Sequence, residues 1–361
     1  MTPDSVDTAT LDLRDVRHAV DAVLEGFLAE KLDTGSVCHL PSEARQALHG
    51  FLFIGGKRLR PLLCVLGWHA AGGREELALV LHAAASLEMF HTFALIHDDV
   101  MDCSATRRGR PTLHRMLAEL HHEGRSPAQA EHLGSSTAVL LGDLALAWSD
   151  ELFPAARLTA AQLSAVLPIV GSMRTELMCG QYLDVVAAGQ PTSDTERAMA
   201  IVHYKTAKYT VERPLHIGAA LAGADPDVLA SLSAFALPIG EAFQLRDDLL
   251  GVFGALGTTG KSCTEDLRDA RHTVLLAHGL QRADDGQRQV LERLVGDPGL
   301  DEDGAARIRD ILIATGARDS VERMITSRRD QALGLLDKAS FPAAATDALR
   351  QIAHDTTTRD A

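Results

Sequence analysis

The stretch EMFHTFALIHDDVMD, residues 88–102, decides the fold: it is an apolar run that ends in Asp98, Asp99 and Asp102. On a helix at about 100° per residue, Asp98 and Asp102 lie about 40° apart and one turn apart along the axis. Both carboxylates therefore point the same way. Because close, uncompensated acids raise one another's pKa, an apolar helix that carries them predicts a cation between them. The alternative is a solvated helix end that is acidic by chance.

A second acidic stretch makes a metal site the better interpretation. Residues 241–254, EAFQLRDDLLGVFG, again join an apolar helical pattern to a carboxylate pair, Asp247 and Asp248. Hard oxygen ligands favour Mg²⁺, which takes only one or two protein carboxylates and completes its shell with water and substrate phosphates. Two acidic helix ends predict facing walls, between which two or three Mg²⁺ ions could hold a diphosphate and neutralise it as a leaving group.

The composition of the chain predicts an all-α fold. The 361 residues are rich in alanine and leucine, only 4% are aromatic, and β-branched alternation is scarce. No linker separates two halves, so we expect a single domain over residues 1–361. Within it, we expect residues 1–10 to be disordered and amphipathic helices to follow over about 286–358.

Charge, cysteine usage and hydropathy exclude several classes of protein. The net charge of −14 argues against nucleic acid or an anionic membrane surface as the principal partner. The five cysteines are scattered without a CxxC pair, so neither a disulfide framework nor a zinc site is indicated. The N-terminus lacks the regions of a signal peptide, and no run approaches the roughly 18 uninterrupted apolar residues of a membrane span. We expect a soluble, cytoplasmic enzyme without a membrane span.

Two basic segments predict phosphate-binding sites. Gly55-Gly56 end one helix, and Lys57-Arg58-Leu59-Arg60-Pro61 follow directly before the next, which is a favourable arrangement for binding an anion. Three arginines in ATRRGRP, residues 105–111, come just after the first acidic stretch. Guanidinium groups match diphosphate oxygens in pairs, although solvated basic loops remain the alternative for both segments.

The middle of the chain carries further candidates. Residues 135–148, SSTAVLLGDLALAW, are nearly apolar all round and predict a buried helix. Gln181 and Asp184 share one helix face and could line the site or pack in a seam. Lys205 and Lys208 lie three residues apart on another helix, and their partner could be diphosphate. The run GALGTTGK at 254–261 is typical of a lid, or equally of an ordinary connecting loop.

Five motifs together resemble the trans-isoprenyl diphosphate synthases, and most of all bacterial geranylgeranyl diphosphate synthases. They are GGKRLRP at 55–61, DDVMD at 98–102 with RRGRPTLH at 107–114, GQYLD at 180–184, YKTAKYT at 204–210, and FQLRDDLLGVFG at 243–254. The resemblance covers about residues 45–285, the motif-bearing core. It implies an isoprenoid synthase fold with about ten core helices around a central cavity, usually in a homodimer. It also implies Mg²⁺-dependent condensation of isopentenyl diphosphate with dimethylallyl, geranyl or farnesyl diphosphate, giving geranylgeranyl diphosphate.

The resemblance implies a role for each matching residue. Five carboxylates would bind Mg²⁺: Asp98, Asp99, Asp102, Asp247 and Asp248. Two cations would hold the allylic diphosphate: Arg107 and Lys261. Five residues would hold isopentenyl diphosphate without metal: Gly56, Lys57, Arg60, His91 and Arg108. Three residues would lie beside the reacting carbon, where dipoles stabilise a carbocation and a cation holds the departing diphosphate: Lys205, Thr206 and Gln244.

The chain departs from the family's pattern at three positions. Gly251 stands where a third aspartate of the second motif is frequent, which predicts fewer carboxylates on that wall and weaker binding of one Mg²⁺. Arg271 stands where lysine is usual, so the charge is kept but the point geometry of lysine is not. Cys103 follows the first motif where an acid is common.

Other activities were weighed against these residues. A farnesyl diphosphate synthase is the nearest alternative. A class I terpene cyclase of the same fold would have no use for the metal-free basic site at Lys57, Arg60 and Arg108. A non-catalytic subunit should have lost acids from the first motif, which is intact. A phosphohydrolase using His97-Asp98 lacks further His and Asp ligands in a plausible order.

Product length is predicted from the residues that precede Asp98. Ala94 lies about 6 Å below Asp98 and about 40° off its face, and its small side chain leaves a channel open. Phe90 lies about 12 Å below and about 80° off, near enough to serve as a floor. Phe93 is the residue that the resemblance favours, although it lies about 140° from Asp98. The alternative is that both phenylalanines are ordinary core residues.

Overall fold

The computed structural model describes residues 11–32, 40–74, 77–190, 192–254 and 264–358. The predictions for residues 1–10, for Lys261 and for most of the 254–261 run lie outside these ranges. The described residues are almost entirely helical, which confirms the all-α class.

The first half of the chain consists of seven α-helices and a minimal hairpin. The helices are α1 (Leu13–Leu32), α2 (Ser42–Leu52), α3 (Leu59–Ala70), α4 (Leu77–Met101), α5 (Leu113–Leu120), α6 (Pro127–Ala155) and α7 (Ala160–Ala187). The hairpin lies between α4 and α5 and pairs β1 (Thr106–Arg107) antiparallel with β2 (Arg110–Pro111).

The second half contains one wide helix among α-helices. A π-helix, π1 (Val202–Glu212), runs without interruption from α8 (Thr195–Ile201) into α9 (Arg213–Leu221). The remaining helices are α10 (Pro226–Phe253), α11 (Glu265–Arg268), α12 (Val274–Arg282), α13 (Asp285–Leu294), α14 (Glu302–Ala314), α15 (Ala317–Leu336) and α16 (Ala343–Thr357).

Local sequence explains where several of these helices begin. Thr159 accepts a hydrogen bond from the Gln162 backbone at the start of α7 and forms a capping box with it. Asp225 caps α10 and is followed by Pro226, which suits the first helical position because its missing N–H would have no intrahelical partner. The starts of α7 and α10 are thus defined by local sequence.

The buried apolar side chains form two clusters, and α10 belongs to both. The first cluster gathers α1 to α7, α9, α16 and the N-terminal half of α10, including Phe235. The second gathers α12 to α15 and the C-terminal half of α10, including Leu249. Each fully buried leucine or phenylalanine stabilises the fold by about 1.5–3 kcal/mol relative to exposure. Asp247 and Asp248 lie in the half of α10 that belongs to the second cluster, between Leu245 and Leu249 in the chain.

Glycines allow π1 to pack closely between α7 and α10. A Cβ at Gly180 would lie 2.5 Å from the Lys205 backbone nitrogen, and one at Gly240 would lie 2.4 Å from the Ala207 Cα. Both distances are far below van der Waals contact, so neither position accepts a side chain without backbone movement. Two glycines on opposite sides therefore set the space that π1 occupies.

One detail differs from the sequence-based expectations. Helix α4 ends at Met101, and the Asp102 N–H donates to the Asp98 carbonyl at 2.9 Å, which extends the last turn as the spacing of the two acids predicts. Helix α6 is not buried all round, because Leu140 is 65% exposed. Sequence cannot distinguish a helix face that packs against the fold from one that stays open.

Two helices are long and apolar enough to cross a membrane by length and composition alone, α4 and α10. In the fold, 72% of the apolar window in α4 and 44% of that in α10 is buried inside the protein. Each of these helices carries one of the two acidic stretches, and each packs against other helices in the core of the fold.

Candidate active site

A central cavity of about 610 Å³ lies between α4, α7, π1 and α10. Most of the site residues predicted from sequence line it, and they come from segments far apart in the chain: Gly56, Lys57, Arg60, His91, Asp98, Arg107, Arg108, Lys205, Thr206, Gln244, Asp247 and Asp248. Gln181 and Asp184 also line it, so they belong to the site and not to a packing seam.

Asp98, on the wall formed by α4, is surrounded by donors. Its Oδ1 accepts hydrogen bonds from Lys205 Nζ at 3.1 Å and from Gln181 Nε2 at 3.0 Å, and its Oδ2 lies 3.3 Å from an Arg107 nitrogen. Burial opposes ionisation, but the charges of Lys205, Arg271 and Arg107 outweigh it and lower the pKa of Asp98 to about 2. Asp98 is therefore a carboxylate at every physiological pH.

Asp99 and Asp102 lie beside the cavity lining, and each has its own arginine. Asp99 is almost fully buried and accepts from Arg107 Nε at 2.8 Å, so its carboxylate holds a cation in place and is turned away from the cavity. Asp102 accepts from Arg271 at 2.5 Å. Burial and the charge of Asp98 nevertheless raise the pKa of Asp102 to about 6. We call Asp98, Asp99 and Asp102 the first wall.

The second wall, defined as Asp247 and Asp248 on α10, is built differently. Asp248 Oδ1 accepts from the Gln244 amide at 2.8 Å, one turn earlier on the same helix. Burial and the neighbouring charges of Asp247 and Asp266 raise the pKa of Asp248 to about 7. This carboxyl is thus a buried acid that gains little compensation from its surroundings.

Consecutive residues of π1 connect the two walls. Lys205 Nζ bonds to Asp98 on the first wall and to Asp184 Oδ2 at 2.5 Å. Thr206 Oγ1 donates to Gln244 Oε1 at 2.6 Å, and Gln244 in turn donates to Asp248 on the second wall. The structure therefore brings Lys205, Thr206 and Gln244 together in the lining of the cavity, and their role beside the reacting carbon stays a prediction.

Lys208 takes no part in this centre, contrary to the suggestion that its partner is diphosphate. Its Nζ lies 2.9 Å from Glu212 and 3.6 Å from Glu176. Because π1 is wider than an α-helix, residues three apart do not share one face as the α-helical spacing assumes. Lys208 holds π1 against α7 instead.

The basic end of the cavity is formed where α3 begins. Arg60 donates to Thr210 Oγ1 at 2.6 Å, and its guanidinium lies 4.3 Å above the centre of the Tyr209 ring. The Arg60 Nε is buried and has no hydrogen-bond partner among the described residues. A buried donor without an acceptor is costly, so this arginine is suited to an anionic ligand.

Gly56 and His91 complete the basic end. Gly56 has φ +139°, and a Cβ there would lie 2.8 Å from an Arg108 guanidinium nitrogen, so glycine lets Arg108 lie against the turn. Burial and the nearby charges of Arg60, Arg107 and Arg108 hold the pKa of His91 well below its usual value. His91 is therefore neutral and offers a hydrogen bond without adding charge.

Sequence reasoning missed Arg58 and Glu88. Arg58 adopts a left-handed backbone conformation, and its side chain donates to Asp21 at 2.8 Å and to Glu88 at 2.7 Å. This buried pair fixes the start of α3, and so the position of Arg60. The signal was available, since Glu88 is an acid within the apolar α4 stretch and an acid there needs a partner.

The residues on the two walls fit Mg²⁺. Within the described ranges, no group of three or more His, Cys, Asp or Glu side chains forms a ready-made metal site. Mg²⁺ takes one or two protein carboxylates and completes its shell with water and phosphate oxygens. Asp98, Asp247 and Asp248 offer the hard oxygen donors that this ion prefers.

The phenylalanines predicted as a channel floor lie in a second layer. Ala94 and Leu95 line the cavity on α4, whereas Phe90 and Phe93 are absent from its described lining. The rings of Phe90 and Phe93 pack with centroids 5.4 Å apart, and Phe93 also packs on His97 at 4.6 Å. The role of the two phenylalanines in product length stays a prediction.

Fold and site together define a class of protein. A helical cavity with acids on two facing elements, cations between them and a separate basic end is suited to an enzyme that handles diphosphates with metal ions. Comparison with known proteins narrows this class. The family model for polyprenyl synthetase matches residues 41–312, and the chain therefore belongs to the polyprenyl synthetase family, whose enzymes transfer prenyl groups.

Individual relatives agree with this assignment. The crystal structure of geranylgeranyl pyrophosphate synthase from Corynebacterium glutamicum, complexed with isoprenyl diphosphate and magnesium, superimposes with a TM-score of 0.92 at 38% identity, covering 97% of this chain and 100% of that one. Geranylgeranyl pyrophosphate synthase 11 of Arabidopsis thaliana is 33% identical, over 74% of this chain and 72% of the relative. Geranylfarnesyl diphosphate synthase of Aeropyrum pernix is 32% identical, over 74% and 79%.

Proposed function

We propose that this enzyme condenses isopentenyl diphosphate with an allylic diphosphate in a Mg²⁺-dependent reaction to form geranylgeranyl diphosphate. The observation that carries the proposal is the division of the cavity into two anion sites. One lies between the acidic walls, where metal ions are needed. The other is the basic end at Arg60, where a buried guanidinium nitrogen has no partner among the described residues.

In this proposal the acidic walls hold the allylic substrate. Asp98 and Asp102 on one side and Asp247 and Asp248 on the other bind two or three Mg²⁺ ions, with Asp99 acting through Arg107. When bound, the ions neutralise the charge that develops on the departing diphosphate. Arg107 donates hydrogen bonds to the same diphosphate, and Lys261, outside the described residues, is assigned to it by resemblance.

The basic end holds isopentenyl diphosphate without metal. Lys57, Arg60 and Arg108 supply charge-assisted hydrogen bonds, Gly56 leaves space for Arg108, and His91 adds a neutral hydrogen-bonding group. This second diphosphate site favours a chain-elongating enzyme over a terpene cyclase, because a terpene cyclase binds a single diphosphate.

The residues of π1 and α10 that meet in the cavity control the reacting carbon. Lys205 Nζ contacts both Asp98 and Asp184, and it donates a hydrogen bond to the leaving diphosphate as negative charge develops on that group. The Gln244 carbonyl, oriented by the Thr206 hydroxyl, places its dipole toward the allylic cation. The double bond of isopentenyl diphosphate then attacks that carbon, and a proton is lost to the released diphosphate.

The twenty-carbon product is the finer part of the proposal. The named relatives include geranylgeranyl and geranylfarnesyl diphosphate synthases, so resemblance alone leaves length open. Ala94 lines the cavity one turn below Asp98, and its small side chain admits a growing chain. Farnesyl diphosphate is the runner-up product, and it calls for more bulk at this position.

One incubation tests both parts. The purified enzyme is given Mg²⁺ and isopentenyl diphosphate with dimethylallyl, geranyl or farnesyl diphosphate, and product lengths are read by mass spectrometry. We expect twenty carbons from each primer, and Ala94→Phe should shorten the product by at least five carbons. Absence of any elongated product would refute the function. A fifteen- or twenty-five-carbon product would refute only the length.

We further propose that the enzyme acts in the cytoplasm as a homodimer. Exposed apolar side chains on α6 and α7 support a dimer: Leu140, Leu167, Met178, Tyr182, Val185 and Val186. Light scattering on a size-exclusion column tests this, and a monomer at micromolar concentration would contradict it.

A further inference from the structure

Gly251 lies on α10 three residues after Asp248 and lines the cavity. From sequence, glycine here predicts a second wall that is short of one carboxylate. The structure shows that the space beside it is occupied. A Cβ built on Gly251 would lie 2.0 Å from Asp266 Oδ2, closer than any two such atoms can approach. The carboxylate of Asp266 therefore occupies the place where a side chain at position 251 would begin.

Asp266 comes from a different element and faces the same cavity. It lies on α11, just before Arg271, and it lines the cavity together with Asp247 and Asp248. Its negative charge adds to the burial that raises the pKa of Asp248, and it also raises the pKa of Arg271, the partner of Asp102 on the first wall. Asp266 is thus placed as a third acid of this wall, although it is distant from the Asp247-Asp248 pair in sequence.

We propose that Asp266 supplies the third carboxylate of the second wall, and that glycine at position 251 is what admits it. This inference rests on the proposed function and deepens it by adding a positioning residue for the metal ions. Carboxylates near Mg²⁺ act directly or through the ion's waters, and loss of such an outer partner typically weakens metal binding by about 10- to 100-fold.

The sharpest test displaces the carboxylate without removing any charge. In Gly251→Ala the new methyl group forces the Asp266 side chain away, because Asp266 Oδ2 is the end of a side chain that can rotate. Mn²⁺ binding is measured by electron paramagnetic resonance with inorganic diphosphate present. We expect the weakest-bound Mn²⁺ to lose about tenfold in affinity in Gly251→Ala. The melting temperature should not fall, since alanine favours a helix over glycine.

Four further variants complete the design. Asp266→Asn should weaken Mn²⁺ binding to the same extent as Gly251→Ala. Asp269→Asn is the matched control, because it removes the same charge three residues later at an exposed position outside the cavity lining, and it should bind Mn²⁺ as the wild type does. The double variant Gly251→Asp with Asp266→Ala returns one carboxylate to the wall from α10, and it should bind Mn²⁺ more tightly than Asp266→Ala alone.

A failure of this inference can be distinguished from a failure of the proposed function. If wild-type enzyme condenses its substrates but Asp266→Asn and Gly251→Ala bind Mn²⁺ as tightly as Asp269→Asn does, Asp266 has no role at the metals and the inference is wrong. If the double variant binds Mn²⁺ no more tightly than Asp266→Ala does, a carboxylate at position 251 does not replace the one at position 266, and that part of the inference is wrong. If wild-type enzyme forms no elongated product, the proposed function fails first, and the role of Asp266 in it fails with it.

Discussion

The two acidic walls have similar sequences and unlike surroundings. On the first wall, Asp98 contacts Lys205 and Arg107, and Asp102 contacts Arg271 at 2.5 Å. On the second wall, Asp248 accepts a hydrogen bond from the neutral Gln244 amide, and no Lys or Arg of the described ranges lies within ion-pair distance of it. Both acids belong to an Asp-Asp pair, yet the pKa of Asp98 is lowered to about 2, whereas the pKa of Asp248 is raised to about 7.

This difference shows that two similar acidic motifs can depend on an added cation to different extents. Asp98 on the first wall keeps its charge whether or not a metal is bound, because Lys205, Arg271 and Arg107 compensate it. Asp248 on the second wall carries a free-energy cost in its ionised form that an added cation would remove. We therefore expect Mg²⁺ to be needed most by the second wall, and the position of Asp98 to depend least on it.

The largest expected effect comes from the first wall. Asp98→Ala removes the acid that Lys205, Gln181 and Arg107 surround, and it should lower kcat/KM by at least about 1000-fold, or about 4 kcal/mol of transition-state stabilisation. Initial rates are measured over a Mg²⁺ titration, with Asp310→Ala at an exposed site as control. Excess Mg²⁺ should not restore Asp98→Ala. Turnover near that of wild type would overturn the mechanism.

A smaller effect is expected at the basic end, which belongs to neither wall. Arg60→Ala removes a charge-assisted hydrogen bond worth about 1.5–3 kcal/mol, so the KM for isopentenyl diphosphate should rise about 10- to 100-fold. The KM for the allylic primer should change little, because the primer is bound at the walls. Steady-state kinetics with each substrate varied in turn provide the measurement, and an equal rise in both constants would remove the distinction between the two anion sites.

The free-energy cost of ionising Asp248 should be measurable in the free energy of unfolding. Because the pKa of Asp248 is raised in the folded protein to about 7, the metal-free enzyme is stabilised by the neutral carboxyl at low pH and loses that stability as pH rises toward 7. Asp248→Asn stays neutral throughout. Its gain in free energy of unfolding over wild type should therefore be larger at pH 8 than at pH 6, by about 1 kcal/mol.

Guanidinium unfolding in the presence of a chelator measures this gain. A gain that is the same at both pH values would mean that Asp248 ionises without penalty, and the contrast between the walls would disappear. Addition of Mg²⁺ with diphosphate should reverse the order of stability, since only the wild-type carboxylate gains from the metal.

The smallest expected effect concerns the cation of Asp102. Arg271→Lys keeps the charge and loses the planar guanidinium, so we expect kcat to change by no more than about fivefold, the equivalent of about 1 kcal/mol. Arg271→Ala serves as the comparison and should raise the Mg²⁺ concentration needed for half-maximal rate. A loss in Arg271→Lys as large as that in Asp98→Ala would show that arginine geometry, and not charge, organises the first wall.

Much of this site could be predicted because its residues follow α-helical spacing or match motifs. Helix geometry alone placed Asp98 and Asp102 on one face, and the basic turn before α3 correctly indicated the location of Arg60 in the cavity. The family resemblance brought Thr206 and Gln244 together, which lie 38 residues apart and form a hydrogen bond of 2.6 Å.

Other features could not be predicted from one sequence, for definite physical reasons. Lys208 was misplaced because the spacing argument assumed 3.6 residues per turn, while π1 has a different periodicity. Sequence also does not show that Asp99 accepts hydrogen bonds from Arg107, and its supporting role at the metal ions stays a prediction. Sequence likewise does not show that the Asp266 carboxylate lies beside Gly251, because the approach of α11 to α10 depends on tertiary packing.

The π-helix also has a consequence for how this enzyme tolerates changes in chain length. Each backbone N–H in such a helix bonds five residues back, so a segment of 11 residues holds its pattern only while its residue count is kept. A deletion at Ala207 would rotate Tyr209 and Thr210 away from Arg60, while Lys205 and Thr206 kept their places. Insertions and deletions here would therefore uncouple the two substrate sites without altering the chemical identity of any residue in either, an effect that scanning by substitution cannot reveal.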